Sequence, residues 1–153
     1  MNGVETMSNV KPVLLEDQLC FQLYTANKKF NHFYQIALKP YKLTYPQYIA
    51  MLTLWEYAPL SVKELGNYLH LDSGTLTPLL KRLENNGWIT RERSESDERS
   101  VTINLTDMAN VKRDDVYKHV SGCIDTLGLT ETEKNECFDN VASVEKKLDK
   151  FEG

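Results

Sequence analysis

Apolar residues recur along most of this chain at helical spacing, and the period changes once, near the middle. Leu19, Leu23, Ala26, Phe30, Phe33 and Ala37 step by four and three residues, which predicts a first helix over about Leu15–Leu38. A second helix over about Tyr45–Tyr57 is apolar on most sides, as a buried helix is, and Ala58-Pro59 ends it. Val62, Leu65 and Leu69 give a third helix, about Val62–Leu69. Leu76, Leu79, Leu80 and Leu83 form the inner face of a fourth, which leaves Thr75, Thr77, Lys81, Arg82 and Asn85 outside. Pro78 is awkward in a helix interior, so this helix is expected to start near Thr75 or to have a bent first turn. Asn85-Asn86-Gly87 stops it.

The residues that follow alternate. Trp88–Arg93 reads as one strand, and Arg99–Leu105, with Val101, Ile103 and Leu105 on one side, as a second. The polar turn Ser94–Glu98 joins them. Helical spacing then returns. Thr106 caps a fifth helix carrying Met108, Val111, Val116, Val120, Ile124 and Leu127, with Gly128 as its stop. A sixth shows Cys137, Val141, Val144, Leu148 and Phe151 as a coiled-coil-like seam. Three capping-box patterns, at Thr44/Gln47, Ser61/Glu64 and Thr130/Glu133, mark helix starts.

The order helix–helix–helix–ribbon, flanked by amphipathic helices, predicts a mainly α fold, an α+β winged helix-turn-helix. It has six helices, a two-stranded β-wing and a helical dimerisation region drawn from both termini. A generic helical bundle with a hairpin has the same element order. Residues 1–44 are expected to form an N-terminal tail and dimerisation helix, and 45–105 the DNA-binding region. Residues 106–153 supply the C-terminal dimerisation helices, all within one integrated domain.

Composition narrows the function classes. A chain of 153 residues with 41% apolar and 26% charged residues is ordinary for a globular domain. No stretch is long and apolar enough for a membrane span, and the first residues lack the basic-then-apolar pattern of a secretory signal. A cytoplasmic protein with no membrane partner is therefore expected. Cys20, Cys123 and Cys137 are an odd set, best taken as free thiols, and neither they nor His32, His70 and His119 have zinc-site spacing. No metal and no cofactor is expected. The net charge of −4 does not advertise nucleic-acid binding. Between Ser73 and Arg99 the five cations Lys81, Arg82, Arg91, Arg93 and Arg99 face five acids, Glu84, Glu92, Glu95, Asp97 and Glu98. DNA binding is thus implied by architecture, and it requires the cations to be segregated on one face.

The stretch LDSGTLTPLLKRLENNGWITRERSESDERSVTINLT, Leu71–Thr106, resembles the DNA-binding region of MarR-type regulators, with the Asp97-x-Arg99 pair typical of their wing. Within that family DQLCFQLY (Asp17–Tyr24), LTYPQY (Leu43–Tyr48) and LDSGTLTPLLKRLE (Leu71–Glu84) are similar to the OhrR group, repressors that sense organic hydroperoxides. The resemblance runs from about Glu16 to Leu148. It implies a homodimer on a pseudo-palindromic double-stranded operator, with an organic hydroperoxide as inducer.

The resemblance also implies roles for residues. Cys20 is the redox-sensing thiol, and the tyrosines matching Tyr34 and Tyr45 donate hydrogen bonds to its sulfur, with Tyr24 nearby. Thiolate is the form that attacks a peroxide, so the site must favour it. Cys20 and Tyr34 are fourteen residues apart, roughly 21 Å along one continuous helix, so a contact between them has to come from a second chain. Cys20 also fits the role of a small buried hydrophobe, and Tyr34 and Tyr45 that of packing aromatics. Cys123 is the candidate resolving cysteine. Cys137, on the apolar seam of the last helix, competes with it, and a small cellular thiol is a third choice.

For DNA, Ser73, Thr75, Thr77, Lys81 and Arg82 on the fourth helix are the candidates for phosphate and base contact in the major groove. Arg99 would reach the adjacent minor groove from the wing, with Asp97 orienting an arginine. Arg91 and Arg93 lie on a wing strand and either contact DNA or pair with neighbouring acids. The function expected is a repressor, not an enzyme, that releases its operator on oxidation of Cys20 and controls a peroxide-resistance gene. A MarR-type regulator released by a small phenolic ligand is the alternative. A thiol peroxidase is a weaker rival, because it leaves the wing without a purpose.

Overall fold

Gln18, in an extended conformation at φ −82° and ψ 115°, divides the opening apolar run into two helices. In the computed structural model, which describes residues 10–93 and 100–151, a 3₁₀ turn spans Leu15–Asp17 and α1 spans Leu19–Ala37. The single helix expected from Leu15 is therefore interrupted. The Gln18 amide closes the tighter 3₁₀ turn on the Leu15 carbonyl, while its own carbonyl accepts the first α1 bond, from the Gln22 amide. Cys20 becomes the second residue of α1.

The chain divides into two compact units, residues 1–45 and 46–153. In the first, α1 is followed by a 3₁₀ turn, Lys39–Tyr41, and by Lys42 in the left-handed region at φ 54°. Ala37, Leu38 and Leu43 are its buried apolar residues. Half of the α1 seam is exposed: Leu19, Ala26 and Phe30, with Leu23 and Phe33 half-buried.

The second unit carries the helix-turn-helix and the sheet. Helix α2, Tyr45–Tyr57, and α3, Val62–Leu69, have the bounds that periodicity predicted. Ser61 and Glu64 close the expected capping box on α3: the Glu64 amide donates to Ser61 Oγ at 3.2 Å and the Ser61 amide to Glu64 Oε2 at 2.7 Å. The Ser61 amide, and then the Ser61 hydroxyl, which donates to Oε2 at 2.8 Å, hold the Glu64 carboxyl below the usual range. At Gly66 the backbone approaches the next turn so closely that a Cβ would lie 2.8 Å from the Leu71 carbonyl oxygen.

Helix α4 spans Ser73–Asn85 and starts two residues before the expected Thr75. Asp72 supplies the cap, accepting the Thr75 amide at 2.9 Å, so the helix is already established when Pro78 is reached. Pro78 removes the amide that would bond the Gly74 carbonyl; both residues are exposed, so water can serve that oxygen.

Strands β2, Ile89–Arg93, and β3, Val101–Leu105, pair antiparallel with Ile89 opposite Leu105 and Arg93 opposite Val101. The expected two-stranded ribbon gains a third strand: β1, Leu60–Ser61, pairs with β3 through Leu60 and Ile103, giving the order β1-β3-β2. Leu54, Leu65, Leu76, Leu80, Leu83, Ile89 and Ile103 form the buried centre with Trp88. Each aliphatic side chain so buried contributes roughly 1.5–3 kcal/mol.

Helix α5, Asp107–Asp125, is capped by Thr106, which accepts the Ala109 amide and donates to the Gly87 carbonyl at 2.6 Å. Its buried residues are Ala109, Val116 and Val120. Val111, expected on the inner face, is 81% exposed, because the buried face follows the small Ala109 instead. Helix α6, Glu131–Leu148, opens with the expected Thr130/Glu133 box and buries none of its residues; Phe138, Val141 and Leu148 are exposed. Among the described residues no helix is long and apolar enough to cross a membrane.

Candidate functional site

In the first unit, Cys20 stands exposed in the first turn of α1, and its thiol donates to Gln18 Oε1 at 3.6 Å. Tyr24 is one turn further on, exposed, with its ring 6.4 Å from that of Phe21. Tyr34 lies near the far end of the same unbroken helix, so roughly 21 Å of axial rise separates it from Cys20 within one chain. The thiol and the distal phenols are not brought together in the single chain.

The two distal tyrosines are brought together with each other. Their ring centroids are 4.4 Å apart at 32°, and Phe33 meets Tyr34 edge-on at 5.2 Å. Burial, and then the neighbouring Tyr45, push the Tyr34 phenol above its usual value. Tyr34 therefore keeps its proton at neutral pH and remains a hydrogen-bond donor.

In the second unit, Ser73, Thr75, Thr77, Lys81 and Arg82 all lie on the exposed side of α4, as expected. Two of the hydroxyls have local work. Thr75 Oγ1 donates to Asp72 Oδ2 at 3.0 Å, and Thr77 Oγ1 to the Ser73 carbonyl at 2.7 Å. The Thr75 amide, and then the Thr75 hydroxyl, hold the Asp72 carboxyl below its usual range. Lys81 and Arg82 have no ion pair among the described residues, so both charges are available to a phosphate.

Of the two strand arginines, Arg91 is engaged. Its Nε and Nη2 both donate to Glu84 Oε2, at 2.9 and 2.6 Å, and tie β2 to the last turn of α4. The Arg91 hydrogen bonds hold the Glu84 carboxyl below its usual range. Arg93 is exposed on the same strand. Asp97 and Arg99 lie outside the described residues.

Cys123 sits, half-buried, in the last turns of α5 with its sulfur 3.8 Å from His119 Nε2, a pairing that inspection of the sequence passed over. The signal was available in the four-residue spacing of two residues on one predicted helix. Cys137 is exposed on α6. Among the described residues no group of three or more His, Cys, Asp or Glu side chains is placed to hold a metal ion.

A family model described as "Transcriptional regulator SarA/Rot" matches residues 32–116. The HTH-type transcriptional regulator TtmR of Methylorubrum extorquens (strain PA1) is 46% identical over 139 residues, 90% of this chain and 70% of TtmR. The organic hydroperoxide resistance transcriptional regulator of Bacillus subtilis (strain 168) is 56% identical over 93 residues, 61% of this chain and 63% of that one. Among solved structures, reduced AbfR bound to DNA superposes with a TM-score of 0.76 at 40% identity, covering 88% of this chain and 94% of AbfR, a Staphylococcus epidermidis protein. AbfR is also known overoxidized and bound to DNA, at a TM-score of 0.75, and in a disulfide-formed state, at 0.68. This chain belongs to the SarA/MarR-type family of winged-helix, DNA-binding transcriptional regulators, and within that family it is OhrR-like.

Proposed function

We propose that the protein is a homodimeric repressor that senses organic hydroperoxides through Cys20 and then releases a pseudo-palindromic operator. The observation that carries this reading is the arrangement along α1. An exposed thiol stands in the first turn, and half-buried Tyr34 stands about 21 Å further along the same helix, its ring against that of Tyr45 at the start of α2. A thiol there gains phenolic donors when a second protomer runs its α1 in the opposite sense. The bare apolar seams of α1 and α6 support such an association. Residues 1–44 and 106–153 are then the dimerisation elements and 45–105 the DNA-binding region.

In this mechanism Tyr34 and Tyr45 donate to the Cys20 thiolate of the partner chain, with Tyr24 beside it. The thiolate attacks the terminal oxygen of a hydroperoxide, the O–O bond breaks, Cys20 becomes a sulfenic acid, and the departing alkoxide takes a proton from water and leaves as an alcohol. The sulfenic acid condenses with the Cys123 thiol of the partner subunit, losing water and forming a disulfide. AbfR exists both in a disulfide-formed state and overoxidized on DNA. That contrast supports assigning release to the disulfide, which re-spaces the two recognition helices, rather than to added oxygen alone.

On the operator, α4 enters the major groove with Ser73, Thr75, Thr77, Lys81 and Arg82 as its contacts, the hydroxyls positioning and the cations meeting phosphates. Arg93 and Arg99 serve the wing, Asp97 orients an arginine, and Arg91 contributes by holding β2 on α4 through Glu84. The test is an operator gel shift with cumene hydroperoxide. Wild type is released and Cys20→Ser stays bound; equal release of Cys20→Ser by the oxidant removes Cys20 from the mechanism.

A further inference from the structure

We propose that His119 is the proton acceptor that readies Cys123 to close the disulfide on oxidised Cys20. The proposal rests on the reading of Cys20 as the sensor and of Cys123 as the resolving thiol, and it assigns a residue to a step that reading leaves without one.

The chemistry of the step creates the need. A thiol condenses with a sulfenic acid only as its thiolate, so the Cys123 proton must leave before the S–S bond forms. The place where Cys123 stands does not help by itself. It lies in the last turns of α5, which ends at Asp125, and the carbonyl end of a helix carries partial negative charge. That end disfavours a bare anion and favours a cation. A basic side chain one turn back resolves the conflict, and His119 is placed there, its Nε2 3.8 Å from the Cys123 sulfur. With the ring proton on Nδ1, Nε2 accepts from the thiol. Transfer of that proton gives an imidazolium, which the helix end stabilises, beside a thiolate, which the imidazolium stabilises in turn.

The other two thiols are differently furnished. Cys20 donates to the carboxamide oxygen of Gln18, an acceptor that cannot carry the proton away, and relies on phenols instead. Cys137 is exposed on α6. Cys123 itself is half-buried, and the neighbouring surface is open: at Gly122 an added Cβ would meet nothing within 4 Å.

The step balances as follows. His119 takes the proton of the Cys123 thiol, the thiolate sulfur attacks the Cys20 sulfenic sulfur, and the S–O bond breaks. The departing hydroxide takes the proton from the imidazolium and leaves as water. The oxidant is the hydroperoxide already consumed in making the sulfenic acid.

The experiment uses the full-length reduced protein and one equivalent of cumene hydroperoxide. Sulfenic acid is read by trapping with a cyclic 1,3-dione and disulfide by mass under non-reducing conditions. His119→Gln, which keeps an acceptor but takes no proton near neutral pH, is expected to form sulfenic acid at the wild-type rate and disulfide at least tenfold more slowly. In His119→Ala, added imidazole restores the disulfide rate, which a merely structural role for the ring does not predict. Disulfide formation by His119→Gln at the wild-type rate overturns the assignment of His119 and leaves the resolving role of Cys123 standing. Full disulfide formation in Cys123→Ser, through Cys137, overturns the resolving role itself and this proposal with it.

Discussion

The ring of Tyr34, from the end of α1, lies 4.4 Å from the ring of Tyr45, at the start of α2, tilted by 32°. The contact brings together two phenol rings from residues eleven apart in the sequence, and burial, then Tyr45, push the Tyr34 phenol above its usual value. In the proposed mechanism their hydroxyls are what a Cys20 thiolate meets. A hydrogen bond to a charged group contributes about 1.5–3 kcal/mol. Tyr45→Phe is therefore expected to slow Cys20 oxidation by about tenfold or more while operator affinity of the reduced protein stays unchanged. Stopped-flow peroxide consumption under single-turnover conditions measures the first and a gel shift the second. An unchanged oxidation rate removes the phenol from the site.

Lys81 is exposed on α4 with no carboxylate partner among the described residues. A cation that neutralises one phosphate releases counterions, and its loss flattens the salt dependence of binding by about one unit of slope. Lys81→Ala is expected to weaken binding to all operator variants alike and to reduce the slope of log affinity against log salt by that amount. Fluorescence anisotropy over a salt series reads it, and a slope equal to wild type contradicts a phosphate contact.

The Glu84–Arg91 pair ties the wing to the recognition helix. Because Arg91 holds the Glu84 carboxyl below its usual range, the pair stabilises the folded state above the ordinary carboxylate value of about 4.3 and is lost as pH falls through the lower folded value. Glu84→Gln is expected to be less stable than wild type at neutral pH, with the gap closing in acid. Urea unfolding of both proteins at several pH values checks this. A gap that persists after the carboxyl has titrated assigns the effect to something other than the ion pair.

Gly66 has no room for a side chain, with Leu71 O at 2.8 Å and Leu76 Cδ1 at 3.1 Å from a built Cβ. The obstruction is partly backbone, so it cannot swing away. Gly66→Ala is expected to cost about 1–3 kcal/mol in urea unfolding and to spread α3 from α4. Wild-type stability in this variant means that the turn is looser than the structure has it.

The helix-turn-helix was legible because its signals are local. Ser61 with Glu64, and Thr130 with Glu133, announce their helices within four residues, and α2 and α3 keep the predicted bounds. Features set by distant partners were not legible. β1 exists only because Leu60 finds Ile103, and two residues hold no alternation to recognise. Pro78 suggested a late start for α4 because proline is read as a breaker, whereas the Asp72 cap starts the helix upstream of it. Val111 fell in step with Val116 and Val120 by spacing loose enough to include it, but the buried face runs through Ala109. In the candidate site, the α4 face was legible from residue type and the choice of Tyr34 and Tyr45 from resemblance alone, whereas their ring contact was not foreseen. His119 was missed because a lone histidine near a lone cysteine carries no weight until their helix phase is known.

A thiol served by the phenols of another chain can be tested by complementation in mixed dimers. One protomer carries Cys20→Ser and the other Tyr34→Phe with Tyr45→Phe, so that a shared site retains one complete set of thiol and phenols per dimer. The measurement is the rate of sulfenic acid formation on the remaining Cys20 with cumene hydroperoxide. The mechanism predicts the wild-type rate for that sulfur, although the Tyr34/Tyr45 double variant is slow as a homodimer. A mixed dimer as slow as that homodimer would contradict it.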